Sequence, residues 1–280
     1  MTGEGRGGGD SRSGPASAPH ITIRGLTKRF QGAAVYEKFD LDIPRGRFVS
    51  IFGPNGCGKS TLINMIAGLI PVDSGQILFS GKRIGEIKFG YVFQNYREAL
   101  FPWLRALDNI EYPLKVMGLS RAEREACVER LVAHLGVKLD LARYPYELSG
   151  GQQQLISILR ALVVEPEVLF LDEPFSALDA QTRTLMMDEL LAIWERTRQS
   201  ILYVTHNIQE AVFMADRVIV LSRRPGEVLD VVPIKLGRPR RESQQTEAVF
   251  VQAADRIWGM IKSQAQAALL EGEALSERGV

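Results

Sequence analysis

The stretch that decides the fold is residues 53–60, which read Gly53-Pro54-Asn55-Gly56-Cys57-Gly58-Lys59-Ser60. It has the spacing GxxxxGK[ST] and stands between a short apolar run and a helix-compatible run. Glycines at these positions let successive backbone N–H groups point at phosphate oxygens, and the positive end of the following helix adds to the attraction. Lys59 can neutralise the β- and γ-phosphates of a nucleotide, and the Ser60 hydroxyl can bind Mg²⁺. The stretch therefore predicts a phosphate-binding loop, called the P-loop below.

Short apolar runs on either side of the P-loop predict the strands. Buried parallel strands read as continuous apolar runs, and the segments between these runs are long enough to hold crossover helices. The runs are Phe48–Phe52, Lys88–Phe93, Val168–Leu171, Ile201–Val204 and Arg217–Leu221. Two earlier segments, Ile21–Ile23 and Phe39–Ile43, alternate apolar and polar residues, as half-buried antiparallel strands do. The expected fold class is α/β: a P-loop NTPase (RecA-like) core with an N-terminal antiparallel β portion.

The remaining segments complete the expected domain organisation. From about residue 96 to 155 the apolar spacing is helical, which predicts an inserted α-helical subdomain within an ATPase domain spanning 20–236. Residues 1–19 are rich in Gly, Ser and Pro and predict a disordered tail. Residues 237–280 predict a C-terminal helical extension, in which Phe250, Ala253, Ala254, Ile257 and Ile261 share one face. That face can pack on the protein's own core, which we favour, or on a partner.

Composition excludes several classes of protein. The 280 residues carry 34 basic and 33 acidic groups, so no global basicity argues for nucleic-acid binding. Two cysteines, Cys57 and Cys127, cannot build a disulfide framework, and the three histidines lack ligand spacing. The apolar runs fall short of the roughly 18 residues that a membrane span needs. We expect a reducing compartment, and any membrane role must come through partners.

A pair of carboxylates follows the apolar run Val168–Leu171. Asp172 and Glu173 would stand at the carboxyl end of a buried strand, where open α/β sheets bind their ligands. We expect Asp172 to hold the Mg²⁺ sphere and Glu173 to orient or deprotonate the attacking water. An acidic turn after a strand is common by itself, and the upstream P-loop is what favours the functional interpretation.

A second glycine-bearing stretch, Leu148-Ser149-Gly150-Gly151-Gln152, precedes another helix-compatible run. One nucleotide does not need two such loops. Together with GPNGCGKST and FLDEP, this LSGGQ stretch resembles the ATP-binding subunits of ABC transporters over about residues 21–221. The resemblance implies ATP and Mg²⁺ as cofactors and a homodimer with two composite sites. In each site the signature residues of one chain (Ser149, Gly150, Gly151, Gln152) cover the ATP on the partner's P-loop.

The resemblance also implies roles for single residues. Phe30 would stack on adenine, with Tyr36 as the alternative and a plain core role still open. Gln94 would reach Mg²⁺ and the attacking water, so the expected Mg²⁺ set is Ser60, Gln94 and Asp172. His206 would contact the γ-phosphate, giving the expected catalytic set Glu173, His206 and Gln94. Asp179 would lie in the D-loop at the dimer interface. The nucleotide-binding set is then Phe30, Gly53, Pro54, Asn55, Gly56, Cys57, Gly58, Lys59, Ser60 and Thr61.

One departure from the family follows the signature loop. Gln153 and Leu155 stand where the family usually has arginines, which puts the usual surface salt bridges of this helix in doubt. Cys57 within the P-loop is a common family choice, and we interpret it as small-residue packing rather than a redox sensor.

The narrower family branch is indicated by patterns outside the shared motifs. The stretch Leu100-Phe101-Pro102-Trp103-Leu104, and the motifs Arg224-Pro225-Gly226 and Leu236-Gly237-Arg238-Pro239-Arg240, resemble the nitrate/sulfonate/taurine importer ATPases. That resemblance implies two integral-membrane permease subunits, an indirect extracytoplasmic substrate-binding protein, no nucleic acid, and a peripheral location on the cytoplasmic face of the cell membrane. The rival class is a soluble ABC ATPase of DNA repair or translation, but such chains usually carry a coiled-coil insertion or a second cassette. The transported solute cannot be read from this chain.

An apolar cluster directly after Gln94 predicts a docking site for a permease helix. Its members are Tyr96, Leu100, Phe101, Pro102 and Trp103. Apolar anchors of this kind suit a groove that accepts a partner helix. The alternative is that they fill the helical subdomain's own core.

Overall fold

The computed structural model describes residues 19–277. The tail expected over 1–19 lies outside the described residues except for Pro19, which begins the first strand. The elements in chain order are β1 (Pro19–Phe30), β2 (Ala33–Pro44), β3 (Phe48–Phe52), α1 (Lys59–Ile66), β4 (Ser74–Phe79), β5 (Phe89–Val92), α2 (Tyr96–Ala99), α3 (Ala106–Val116), α4 (Arg121–Leu135), α5 (Gly150–Leu162), β6 (Val168–Asp172), α6 (Ala180–Thr197), β7 (Ser200–Val204), α7 (Ile208–Met214), β8 (Arg217–Leu221), β9 (Val228–Pro233) and α8 (Ala248–Glu277).

Two sheets form the frame of the molecule. The larger has the strand order β5-β6-β7-β3-β8-β9, and only the edge strand β9 is antiparallel to its neighbour. The smaller sheet is antiparallel with the order β2-β1-β4. Because β6, β7 and β3 are parallel and adjacent, the loops that follow them open at the same edge of the sheet. Asp172 is the last residue of β6, His206 lies in the loop after β7, and the P-loop follows β3.

Alternate residues of the central strands face two different cores. Val49 and Ile51 pack with the small sheet and α1, whereas Phe48 and Phe52 face the helical side. Strand β6 repeats the pattern, since Phe170 faces the first core and Leu171 the second. The central sheet is therefore buried on both faces, which is why its strands are almost entirely apolar.

The segment between β5 and β6 is helical, as its apolar spacing predicts. Ile110 of α3, Val128 of α4 and Ile156 of α5 are fully buried in the core on the helical side. The division of the chain into 1–19, 20–236 and 237–280 remains a prediction.

Helix α8 packs on the rest of the chain through the face that its spacing predicts. Phe250 and Ile257 are buried in the same core, and Ala253, Ala254 and Ile261 lie against it. The preferred interpretation of that face, packing on the protein's own core, is thus confirmed. Within residues 19–277, no helix combines the length and apolarity needed to cross a membrane.

Candidate nucleotide site

The P-loop connects the buried strand β3 to α1. Gly56 and Gly58 both have positive φ, 74° and 112°, which side chains other than glycine rarely adopt. A Cβ on Gly58 would also stand 2.7 Å from Cγ1 of Val35. The buried Lys59 side chain folds back over the loop, and its Nζ donates to the carbonyl oxygens of Gly53 at 2.9 Å and Pro54 at 3.0 Å. The loop thus holds the Lys59 ammonium group at the start of α1, where it can attract a phosphate group.

Two side chains that could bind a cation through oxygen, Ser60 and Asp172, meet beside the P-loop. Ser60 Oγ donates to Asp172 Oδ1 at 3.0 Å, which joins the start of α1 to the end of β6. Burial raises the pKa of Asp172 to about 6, opposed by the Ser60 hydrogen bond and by the charge of Lys59. A bound metal cation stabilises the charged form of a buried carboxylate with a raised pKa. Hydroxyl and carboxylate oxygens are hard ligands of the kind that Mg²⁺ prefers, so these residues fit that ion.

Glu173 lies at the centre of the catalytic set expected from the sequence. Its backbone has φ 46°, and its N–H donates to the carbonyl of Val204 at 2.9 Å, so its side chain is directed differently from that of Asp172. Gln94 Nε2 donates to Glu173 Oε2 at 3.3 Å, and His206 Nδ1 lies 2.8 Å from the same oxygen. The ends of β5, β6 and β7 thus bring all three side chains together.

One cavity of about 410 Å³ is lined by nine of the expected site residues. Its lining includes Gln94, Glu173 and His206 together with six P-loop and α1 residues: Asn55, Gly56, Gly58, Lys59, Ser60 and Thr61. It also includes Arg224, a residue of the Arg224-Pro225-Gly226 motif for which the sequence predicts no role in the site. The signal that could have identified Arg224 is its place in a turn directly after the buried strand β8.

The two candidate adenine-stacking rings have opposite environments. Phe30, at the end of β1, is 44% exposed, and Lys28 Nζ lies 5.1 Å from its ring centroid. Tyr36 is fully buried, and a Cβ built on Gly58 or Gly226 would contact its ring. Only Phe30 has ring surface open to a base, although it lies outside the 410 Å³ cavity. Its stacking role remains a prediction.

The signature residues form the N-terminus of α5. Ser149 Oγ accepts from the Gln152 N–H at 3.3 Å, and Gln152 Oε1 accepts from the Ser149 N–H at 3.0 Å, a reciprocal cap. A Cβ on Gly150 would stand 2.8 Å from the Tyr96 hydroxyl, so packing requires glycine there. Among the described residues that line the 410 Å³ cavity, none belongs to the signature.

Gln153, directly after the signature, and Asp179, in the expected D-loop, are held by local hydrogen bonds. Gln153, at a position where the family usually has arginine, donates from Nε2 to the carbonyls of Pro145 and Leu148, both at 2.9 Å. Asp179 caps α6 by accepting from the Thr182 N–H at 2.9 Å, a bond that lowers the pKa of the carboxyl. Both side chains hold helix ends in place.

Comparison with known proteins agrees with this geometry. The profile of the ABC transporter family matches residues 36–176. A putative ATP-binding protein of Brucella abortus is 39% identical over 249 residues, covering 88% of this chain and 95% of the relative. The taurine import ATP-binding protein of Escherichia coli K12 is 40% identical over 220 residues, covering 78% and 86%.

Solved structures give the same result. A cassette from Clostridium perfringens, described as part of an ABC transporter complex, superimposes with a TM-score of 0.70 at 27% identity, covering 78% of this chain and 89% of that one. A dimeric bacterial ABC transporter cassette superimposes with a TM-score of 0.65 at 30% identity, covering 78% and 100%. The chain therefore belongs to the ABC transporter family and is an ATP-binding cassette ATPase of that family.

Proposed function

We propose that this cassette hydrolyses ATP to drive import of a small solute of the taurine, sulfonate or nitrate type. It works as a homodimer beneath two permease subunits, on the cytoplasmic face of the cell membrane, with an extracytoplasmic binding protein as an indirect partner and no nucleic acid. The observation that carries the proposal is the single cavity in which the P-loop, Gln94, Glu173 and His206 converge. The 40% identity to a taurine import ATP-binding protein supports the importer branch.

Nucleotide binding follows from the P-loop geometry. The Lys59 ammonium bonds to loop carbonyls at 2.9 and 3.0 Å, and a triphosphate offers it stronger, charged acceptors. Ser60, Asp172 and Gln94 would hold Mg²⁺, which supplies charge neutralisation on the phosphates when bound. The Ser60–Asp172 hydrogen bond would open so that both oxygens turn to the cation.

Hydrolysis requires a base beside the γ-phosphate, and we assign this role to Glu173 because Gln94 and His206 both contact its carboxylate. It would accept a proton from water while the water oxygen bonds to the γ-phosphorus and the bond to the ADP oxygen breaks. His206 and Gln94, bonded to the same carboxylate oxygen, would keep Glu173 oriented and then contact the phosphate and the water. Asp172 cannot replace Glu173, because its carboxylate would be committed to the cation.

A head-to-tail homodimer would complete each site. Ser149 and its neighbours form a helix N-terminus that lies outside the cavity of their own chain, so they are free to cover a nucleotide on a second copy. Asp179, exposed at the start of α6, would lie along that interface. The dimeric cassette at 30% identity supports this arrangement.

A groove beside Gln94 suits a permease helix. It has a volume of about 340 Å³, and its lining includes Phe93, Phe101, Tyr112 and Arg160. The expectation that the whole apolar cluster after Gln94 is available for docking is wrong, because Tyr96 and Leu100 are buried in the core. Tyr96, in α2, and Leu100, directly after it, are turned inward, whereas Phe101 stays half-buried on the groove.

The role of the groove depends on Phe101 and its neighbours. The Phe101 ring centroid lies 4.6 Å from that of Tyr112 and 5.6 Å from that of Trp103, which is 70% exposed. Such a cluster of partly exposed aromatics would anchor a partner helix.

The proposal is tested by purifying the tagged cassette from native membranes and identifying the proteins that come with it. Two integral-membrane permease subunits are expected, and deletion of the gene should remove uptake of taurine, an alkanesulfonate or nitrate. Recovery of ribosomes or nucleic acid in place of permeases would contradict the importer and favour a soluble ABC ATPase. A Lys59→Ala cassette should still recover the permeases without supporting uptake.

A further inference from the structure

The turn between β8 and β9 is braced by its own hydrogen bonds. Ser222 N donates to the Glu227 carbonyl at 2.9 Å, and Glu227 N donates to Ser222 Oγ at 2.8 Å. The Ser222 hydroxyl in turn donates to the carbonyl of Arg223 at 2.7 Å, with the carbonyl of Pro225 at 3.2 Å. A turn closed in this way holds the residues at its tip in a fixed place.

The same turn is attached to β2 beside the P-loop. Gly226 N donates to the Val35 carbonyl at 2.8 Å, and a Cβ on Gly226 would stand 2.6 Å from Cε1 of Tyr36. The Tyr36 ring also lies against Gly58 of the P-loop. The turn, the Tyr36 ring and the P-loop therefore form one packed unit, and the distance between the turn and the phosphate site is fixed by packing.

Arg224, at the tip of this turn, lines the 410 Å³ cavity with Lys59 and Thr61. Its guanidinium makes no hydrogen bond or ion pair with the side chains that the structure describes, those of residues 19–264 and 266. Its positive charge nevertheless acts on the Cys57 thiol inside the P-loop. Burial raises the pKa of the Cys57 thiol, and the positive charges of Lys59 and Arg224 act against that increase. A free guanidinium is thus held at the phosphate site.

We propose that Arg224 donates hydrogen bonds to the phosphate chain of the bound nucleotide, as a second cation beside Lys59. This inference rests on the proposed nucleotide site. A planar guanidinium can bond two phosphate oxygens at once, which a lysine ammonium does not do with the same geometry. The β8–β9 turn is then part of the nucleotide site.

The experiment measures the affinity of MgATP and MgADP by isothermal titration for the wild type, Arg224→Ala, Arg224→Lys and Arg223→Ala. Arg223 is the matched control, because it is the adjacent arginine, is also exposed, and does not line the cavity. We expect Arg224→Ala to weaken both nucleotides about tenfold, the lower end for a charged hydrogen bond at an exposed position. Arg224→Lys should restore part of the loss, and Arg223→Ala should stay near the wild type. Arg224→Ala should also show a weaker dependence of affinity on salt.

Two results would overturn the inference. One is an Arg224→Ala affinity equal to that of the wild type, or a loss that Arg223→Ala shares. The other is a loss accompanied by a lower melting temperature without nucleotide and not relieved by lysine, which would make Arg224 a structural residue. If the wild type itself does not bind MgATP, the proposed function fails together with this inference, whereas a change confined to the variants bears on Arg224 alone.

Discussion

Replacing Asp172 with asparagine should stabilise the nucleotide-free protein while it damages the site. Burial raises the pKa of Asp172 to about 6 from an ordinary 3.8, with the Ser60 hydrogen bond acting against the increase. An acid whose pKa is raised by folding lowers the stability of the fold when it ionises, because the folded state binds the proton more tightly than the unfolded state does. Asparagine removes this charge and keeps an oxygen to accept the Ser60 hydrogen bond.

The size of the effect depends on pH. Below pH 3.8 the Asp172 carboxyl is protonated in both the folded and the unfolded state, so it does not lower the free energy of unfolding. Between that pH and about 6 it lowers the free energy of unfolding by an increasing amount, and above this window the reduction is constant. At about 1.4 kcal/mol for each pH unit, Asp172→Asn should raise the free energy of unfolding by about 3 kcal/mol at pH 8 and by about half of that at pH 5.

The assay is urea unfolding at pH 8 and pH 5, with a chelator present and nucleotide absent. Asp179→Asn is the control, because hydrogen bonds from Thr182 lower the pKa of that exposed carboxyl, and its replacement should bring no gain at pH 8. An Asp172→Asn protein that is no more stable than the wild type at pH 8, or that gains equally at both pH values, would show that ionised Asp172 does not destabilise the fold. The same variant should lose the Mg²⁺ dependence of ATP binding.

Two further predictions concern the P-loop and the groove proposed to accept a permease helix. Lys59→Ala should weaken MgATP binding at least tenfold, because it removes the cation held over the loop; unchanged affinity in an equilibrium titration would contradict the assignment. Phe101→Ala should weaken binding to the permease by about 2 kcal/mol, seen as reduced co-purification, and leave MgATP affinity intact. The control is Tyr146→Ala, which removes an aromatic side chain that is 72% exposed and lies outside the groove, and it should change neither quantity. Full permease recovery with Phe101→Ala would exclude the groove.

The central strands could be predicted from the sequence because burial on both faces leaves a continuous apolar run. The bounds of β3 and β8 are those expected, Phe48–Phe52 and Arg217–Leu221. The edge strands β4 and β9 were missed, since they are partly exposed and their residues mix polar and apolar types. The N-terminal strands are longer than their alternating segments, because bulges at several points interrupt the alternation.

The parts of the candidate site that lie in contiguous residues can be predicted from the sequence. The parts that depend on packing between distant residues cannot. The P-loop and the Asp172-Glu173 pair each lie in one short segment whose chemistry can be read directly. The place of Arg224 depends on Tyr36 packing against Gly226, a contact between residues 190 positions apart. Similarly, the inward direction of Tyr96 and Leu100 depends on how α2 lies against α5, which periodicity over four residues cannot specify.

We propose that two copies of this chain close around ATP and that Glu173 then supplies the base. Glu173→Gln tests both parts, because it keeps the shape of the side chain and removes its basicity. We expect hydrolysis to fall by about 10²–10⁴. We also expect MgATP to convert this variant from monomer to dimer in sedimentation velocity, with two ATP molecules retained per dimer. Hydrolysis near the wild-type rate, or a protein that stays monomeric with saturating MgATP, would contradict it.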